Sequence, residues 1–166
     1  MSNHHRPRFW HRAIKYIASK RLSSWVLARV LYRLDNIMMR TTRGRRNLTT
    51  LLTGLPVITL VTTGASSGQP RTSPLVGISM GEEIMLVGSN FGGANNPGWY
   101  YNLVAHPEAF IIMDGSRKGC TARQAHGEEW ERCWQTAVDV YAGYQAYRRR
   151  ASHRHIPIML LKPNED

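Results

Sequence analysis

From Leu55 onward the chain is cut into short apolar runs by glycine, proline and polar turns, and this punctuation restricts the fold more than any other feature. The run VITLVTT (57–63) is β-branched and bounded by Pro56 and Gly64. RTSPLVGISM (71–80) and EIMLVGS (83–89) flank a GEE turn at Gly81, which predicts a hairpin. Pro74 has no N–H to give a strand ladder, so its run is expected at a sheet edge or a bulge. NFGGANNPG (90–98) reads as a long polar loop, and WYYNLVAHPE (99–108) as a short helix ending before Pro107. AFIIMDG (109–115) and GCTARQAH (119–126) predict a second hairpin. GEEWERCWQTAVDVYAGYQAYRRRA (127–151) reads as one helix with Trp130, Trp134, Ala137 and Tyr141 on one face, and IPIMLLK (156–162) as a closing strand. Strand, strand, strand, helix, strand, strand, helix, strand predicts an α+β, mostly antiparallel domain: a small barrel with helices laid on it.

The charge divides the chain. Its 166 residues are 42% hydrophobic, enough for one core, and carry a net charge of +11. All of that excess lies in the first 50 residues, which hold 12 Lys/Arg against one acid, Asp35, whereas the remainder holds ten of each. Two parts follow, a basic amphipathic helical segment over 1–50 and a barrel domain over 51–166, meeting near TTRGRRNLTT. Ser23 or Ser24 can cap a helix whose Leu27, Leu31, Leu34 and Met38 form an apolar stripe, with Arg29, Arg33 and Arg40 on another face. Such a helix can pack its stripe on the domain and leave its arginines in water, lie on an anionic membrane surface, or meet the tail of a bound anionic ligand. Nucleic acid is not an expected partner, because residues 51–166 are neutral overall. No apolar run reaches membrane-spanning length, and charges interrupt every apolar block before a signal core forms. Cys120 and Cys133 make no disulfide framework. A cytoplasmic setting is expected, with peripheral contact at the inner face of the membrane open to residues 1–50.

The connection TTGASSGQPRTSPL (62–75) joins two strand runs with many donors and little bulk. Glycines let backbone N–H groups approach a ligand, and Thr63, Ser66 and Ser67 add hydroxyls, a combination that suits phosphate or carboxylate. Arg71 adds a permanently charged fork for the same groups. No Lys-Ser/Thr pair follows the second glycine, so this is not a Walker P-loop, nor is it a G-x-G-x-x-G dinucleotide turn. His153 and His155 have no cysteine or acid at ligand spacing, and no metal site is expected.

TTGASSGQPRTSPL, then GSNFGGANNPGWYYNLVAHPE, then YAGYQAY before IPIMLL together resemble the deazaflavin-dependent nitroreductase family, oxidoreductases of mycobacterial type that use coenzyme F-420. The resemblance runs from about Pro56 to Pro163 and rests on G-x-x-S-G-x-P-R-x-x-P and N-P-x-W-Y-x-N-L. It implies a split β-barrel, of the FMN-binding split-barrel-like kind. It also implies hydride transfer from the reduced coenzyme to a quinone or nitro-aromatic acceptor.

Residue by residue, the resemblance places Thr63, Gly64, Ser66, Ser67, Gly68, Arg71 and Thr72 near the coenzyme's phosphate and acidic tail. Pro74 and Val76 would line the deazaflavin ring, and Gly88, Ser89 and Asn90 would sit at its polar edge. Trp99, Tyr100 and Asn102 would support ring or loop from the short helix. Tyr141, Tyr144 and Tyr147, at three-residue steps expected on one helix, resemble the aromatic side of the substrate pocket. Tyr144, with Gly143 expected to leave room beside it, is the candidate catalytic residue. Two departures stand out: Ala65 and Ser66 occupy places where relatives commonly carry Arg or Lys, and Asn90 one where some carry Lys. A non-enzymatic protein holding a flavin-like or lipid ligand on the same barrel is the alternative that these residues leave open.

Overall fold

The structure, a computed structural model, describes residues 55–164; the helical segment expected over 1–50 and its boundary with the barrel lie outside them. Seven strands are β1 (Val57–Thr63), β2 (Pro70–Val76), β3 (Ile78–Met80), β4 (Glu83–Val87), β5 (Glu108–Met113), β6 (Ser116–Gln124) and β7 (Ile158–Pro163). Three helices are α1 (Gly98–Ala105), α2 (Gly127–Val140) and α3 (Gly143–Arg150), and a 3-10 turn covers Asn90–Gly92. Every strand pair is antiparallel, in the order β2-β1-β5-β6-β7-β4-β3.

The two ends of that order are neighbours in sequence. β2 and β3 run in the same direction and are separated by Gly77 alone, so RTSPLVGISM is one extended segment. Its first half pairs with β1 (Val57 opposite Val76) and its second with β4 (Ile78 opposite Met85). A sheet whose edges share one continuous strand must curl, which makes the half-barrel. Pro74 lies on β2, where the expected edge strand is found. At the joint the Gly77 N–H donates to the Pro56 carbonyl at 2.9 Å, and a Cβ there would sit 3.0–3.1 Å from Ile58 and Ile84.

Strand parity then decides where the loops fall. β1 and β4 are four antiparallel steps apart and point the same way, so the Gly64–Gln69 and Gly88–Pro97 connections leave the sheet from one end. Glu108, which begins β5 after α1, and Ile158, which begins β7, lie at that end too. The opposite end has tight turns at Gly81 (φ 65°) and at Asp114–Gly115 (φ 52° and 81°), the paired left-handed geometry of a two-residue hairpin.

Two cores share the sheet. Ile58, Leu60, Leu86, Ile111, Cys120 and Leu161 converge with Trp99 and Leu103 of α1 on one face. Met85, Ile158 and Leu160 pack on the other with Trp130, Trp134 and Ala137 of α2 and the three tyrosines. β4 and β7 are therefore buried on both faces, which explains why IMLV (84–87) and IMLL (158–161) are unbroken apolar runs. Burying each such side chain stabilises the fold by about 1.5–3 kcal/mol.

The helix expected over 127–151 is two helices. α2 ends at Val140, Tyr141 is extended (φ −146°, ψ 98°), and α3 starts at Gly143. The Tyr141 ring lies directly on Gly143, in the space that a Cβ would need. Burial of that ring outweighs helix continuity. Tyr141 consequently does not share a helix face with Trp130, Trp134 and Ala137, although it joins the same core.

Gly77→Ala is expected to destabilise the domain by about 1–3 kcal/mol through overpacking at the joint. Urea unfolding checks this: a loss below about 0.5 kcal/mol, the range of neutral surface changes, would show that the corner has slack.

Candidate active site

The Gly64–Gln69 connection is closed by its own backbone. Gly64 N–H donates to Gln69 O at 2.9 Å and Gly68 N–H to Gly64 O at 2.8 Å, with Gly68 left-handed (φ 64°). A Cβ on Gly64 would collide with Ser67 Oγ. From α1, Asn102 reaches across and uses both ends of its amide. Its Oδ1 accepts from Ala65 N–H at 3.0 Å, and its Nδ2 donates to Thr62 Oγ1 at 2.9 Å. Thr62 is buried and passes the contact on to Arg71 O at 3.5 Å. The loop is thus pinned at its base while its tip stands in solvent. Ser66 and Ser67 N–H make no hydrogen bond among the described residues. Arg71 is exposed, near only Ser67 Oγ (3.5 Å), with no carboxylate at ion-pair distance among the described residues. Free N–H groups beside an unneutralised guanidinium are a combination suited to an anion.

The Gly88–Pro97 connection is held differently. Gly88 N–H donates to Pro157 O at 2.8 Å, and Pro157 fills the place of its missing Cβ. Asn90, Phe91 and Gly92 follow in left-handed conformations (φ 45°, 54° and 79°). Asn90 Nδ2 donates to Asn95 O at 2.9 Å. Ser89 is only 8% exposed, yet its N–H and hydroxyl have no partner among the described residues. A buried donor left unmade costs about 1–3 kcal/mol, so an acceptor that reaches Ser89 recovers that deficit.

Three tyrosines form a buried triangle. Ring centroids are 5.5 Å apart for Tyr141–Tyr144 and 6.0 Å for Tyr144–Tyr147 and Tyr141–Tyr147. The Tyr141 and Tyr147 hydroxyls share a hydrogen bond of 3.2 Å. Tyr144 is 5% exposed, and its hydroxyl has no hydrogen-bond partner among the described residues. Burial pushes all three phenols above their ordinary pKa, so each remains a neutral O–H donor at physiological pH. Phe91 meets Tyr147 edge to face at 5.9 Å, which joins the Gly88–Pro97 connection to the triangle. Val76 and Val87 pack on the same cluster.

The residues expected at the tail end of the coenzyme, Thr63 to Thr72 with Asn102, are neighbours in space. Val76, Phe91 and the tyrosines form a second group, next to Gly88–Asn90. Trp99 belongs to the core beneath α1, and Tyr100 donates its hydroxyl to Gln124 Oε1 at 3.1 Å. Two expectations are corrected. Tyr141, Tyr144 and Tyr147 do not lie on one helix, because Tyr141 is extended, and Gly143 leaves no room for a ligand, because the Tyr141 ring occupies it. The sequence reading also missed Thr62, Phe91 and Arg154. Arg154 binds carbonyls of the Gly88–Pro97 connection, and its one sequence signal is a cation in a stretch with no acid to pair it. Cys120 and Cys133 are free, buried thiols; burial pushes Cys120 up to about 11 and raises Cys133, which leaves neither as a nucleophile.

Comparison with known proteins bears on the family and the fold. Residues 31–163 match the family described as F420H(2)-dependent quinone reductase, a match that begins inside the basic segment. An F420H(2)-dependent quinone reductase of Mycobacterium tuberculosis is 36% identical over 147 residues, covering 84% of this chain and 97% of the relative. A solved F420-H2 dependent reductase superposes with a TM-score of 0.59 at 33% identity, covering 64% of this chain and 93% of that one. A heme storage protein of Vibrio cholerae, 14% identical with a TM-score of 0.52 over 67% of this chain and 83% of its own, shares the fold alone. With the motifs, the curled sheet and the extent of these matches agreeing, the chain belongs to the F420H(2)-dependent quinone reductase family.

Proposed function

We infer that this oxidoreductase holds coenzyme F-420 between the two connections at one end of its barrel and presents it to a quinone at the tyrosine triangle. The observation that carries the reading is Ser89: buried, with N–H and hydroxyl unpartnered among the described residues, and two positions from both Val87 and Phe91, which meet the core that holds the tyrosines. The reduced coenzyme supplies the hydride; the protein must bind, orient and exclude water. Ser66 and Ser67 N–H, Arg71 and Thr72 take the phosphate and acidic tail, with Thr63, Gly64 and Gly68 shaping the turn. Pro74 and Val76 lie along the ring, and Gly88, Ser89 and Asn90 offer donors at its polar edge. Asn102 keeps the first connection in place, and Trp99 and Tyr100 seat α1 beneath it. Ala65 and Ser66 supply no cation, which leaves Arg71 as the charge of this loop.

Tyr144 is assigned to the acceptor. Its unpartnered, neutral hydroxyl can donate to a quinone oxygen as negative charge develops there. Nitro-aromatic compounds are flat and carry oxygens at similar places, so they belong to the same acceptor class. Residues 1–50, with 12 cations and one acid, are assigned to the surface of an anionic membrane, where lipophilic quinones reside.

Titration with coenzyme F-420 and with FMN side by side should show binding of the deazaflavin; tight FMN binding with no deazaflavin binding would sink the reading. Arg71→Ala should weaken coenzyme binding by about 1.5–3 kcal/mol. That is on the order of 10- to 150-fold in Kd, shrinking as salt rises. An unchanged Kd removes Arg71 from the site.

Tyr144→Phe deletes a buried hydroxyl without a partner, so its melting temperature should hold or rise while coenzyme affinity is kept. Single-turnover hydride transfer to a quinone should slow. A rate unaltered per coenzyme-loaded molecule would leave the hydroxyl without a part in the reaction.

Anionic vesicles should retain the full chain and release a chain lacking residues 1–50. Equal retention of both would assign that segment to packing instead.

A further inference from the structure

Arg154 lies between α3 and β7, and its partners are backbone carbonyls far away in sequence. Its Nη2 donates to Ser89 O at 2.8 Å, its Nε to Gly93 O at 3.0 Å, and its Nη1 to Gly88 O at 3.4 Å and to Asn96 Oδ1. His155 O is a weaker acceptor at 3.4 Å. No carboxylate pairs with it among the described residues. Two neighbours act on the same connection: Arg150 Nη1 donates to Phe91 O at 3.4 Å, and His153 Nε2 lies 2.9 Å from Ala94 O. One short segment therefore holds five carbonyls of Gly88–Ala94.

That connection needs holding. Asn90 and Phe91 are side-chain-bearing residues at positive φ, and for a bulky ring such as Phe91 this conformation is a genuine outlier. Such a backbone persists only where its surroundings over-determine it. Its internal backbone bonds are two, Gly92 N–H to Ser89 O and Gly93 N–H to Asn90 O, both 2.8 Å, with one side-chain bond from Asn90 Nδ2 to Asn95 O. The fork of a guanidinium is suited to gather several carbonyls whose directions differ, whereas an ammonium is a point charge.

We propose that Arg154 is a positioning residue for hydride transfer: by fixing the carbonyls of Gly88, Ser89 and Gly93 it sets where the unpartnered Ser89 donors point, and so where the deazaflavin ring comes to rest. The inference rests on the reading of the two connections given under Proposed function. It assigns Arg154 no contact with coenzyme or acceptor. Its effect is confined to the ring end, since the Gly64–Gln69 connection is held by Asn102 instead.

The test uses full-length protein with Arg154→Met, Arg154→Lys and, as a control far from the connection, Arg117→Lys, whose guanidinium sits 3.8 Å over the Phe110 ring. Each is titrated with coenzyme F-420 and with a deazaflavin fragment that lacks the phosphate and acidic tail, following the absorption band of the ring. Arg154→Met should weaken both ligands by the same factor, about tenfold, the value of one charge-assisted hydrogen bond. The bound ring's spectrum should move toward that of the free ligand, Arg154→Lys should recover part of the loss, and Arg117→Lys should match the parent protein. A lowered melting temperature with ring affinity and spectrum unchanged per folded molecule would make Arg154 structural and overturn the inference. Failure of the parent protein to bind either ligand would instead overturn the reading of the site, and this inference with it.

Discussion

Val76, Gly77 and Ile78 carry the chain from one end of the strand order to the other in three residues, and the architecture follows from that constraint. An edge strand with unpaired N–H and C=O groups on one side invites association. Here the two edges are halves of one strand, so each half leaves only its outer side to be covered. Closure brings the strand so near Ile58 and Ile84 that a Cβ at position 77 would crowd their side chains, and glycine there avoids that contact. Once the sheet is closed this way, parity places the Gly64–Gln69 and Gly88–Pro97 connections at one end. The candidate site is a consequence of the joint rather than an addition to it.

Much of this was legible. β-branched runs gave the strands, Asp114–Gly115 and Gly81 the hairpins, and Pro74 the edge, because each feature acts through local backbone geometry. RTSPLVGISM could be seen as extended but not as shared between two partners, since pairing is decided by distant strands. The break at Tyr141 was hidden for a related reason. Ala142-Gly143 is weak punctuation, and apolar spacing continues through it; only the tertiary burial of the Tyr141 ring against Gly143 stops the helix. The pinned, donor-rich turn at Gly64–Arg71 could be read from hydroxyls, glycines and one arginine. Arg154 could not, because its distant acceptors are, apart from Asn96 Oδ1, backbone oxygens 61 to 66 residues away that carry no side-chain signature.

The electrostatics of the two connections differ in kind. At Gly64–Thr72 the charge is exposed, and its attraction for an anion is softened by water and salt. At Gly88–Asn96 the cation is turned inward and half-buried, and burial lowers the Arg154 pKa without bringing it near neutrality. A guanidinium spent on carbonyls acts as a structural clamp: it neutralises nothing and leaves the adjoining donors free. The tyrosines add neutral O–H groups, held protonated by burial. Nothing in this arrangement asks for an acid–base pair that titrates near neutral pH.

A division of labour follows for the assigned roles. Interactions with a distant tail act equally before and during hydride transfer, so they set affinity rather than rate. Contacts at the ring edge fix the distance and angle between the reacting carbon and its acceptor, where small displacements cost rate. The structure is stiff where geometry matters and yielding where affinity alone is at stake. The ring-end connection is strapped by Arg150, His153 and Arg154 into a backbone it would not otherwise keep. The tail-end connection has one side-chain tie from α1, through Asn102, and an exposed tip. Replacement of cations by Ala65 and Ser66 is tolerable on this view, because it falls on the yielding end. Under the proposed roles, loss of a charge there would lower affinity and leave the ring's register with Tyr144 as it was, whereas the same change at Arg154 would disturb the register itself.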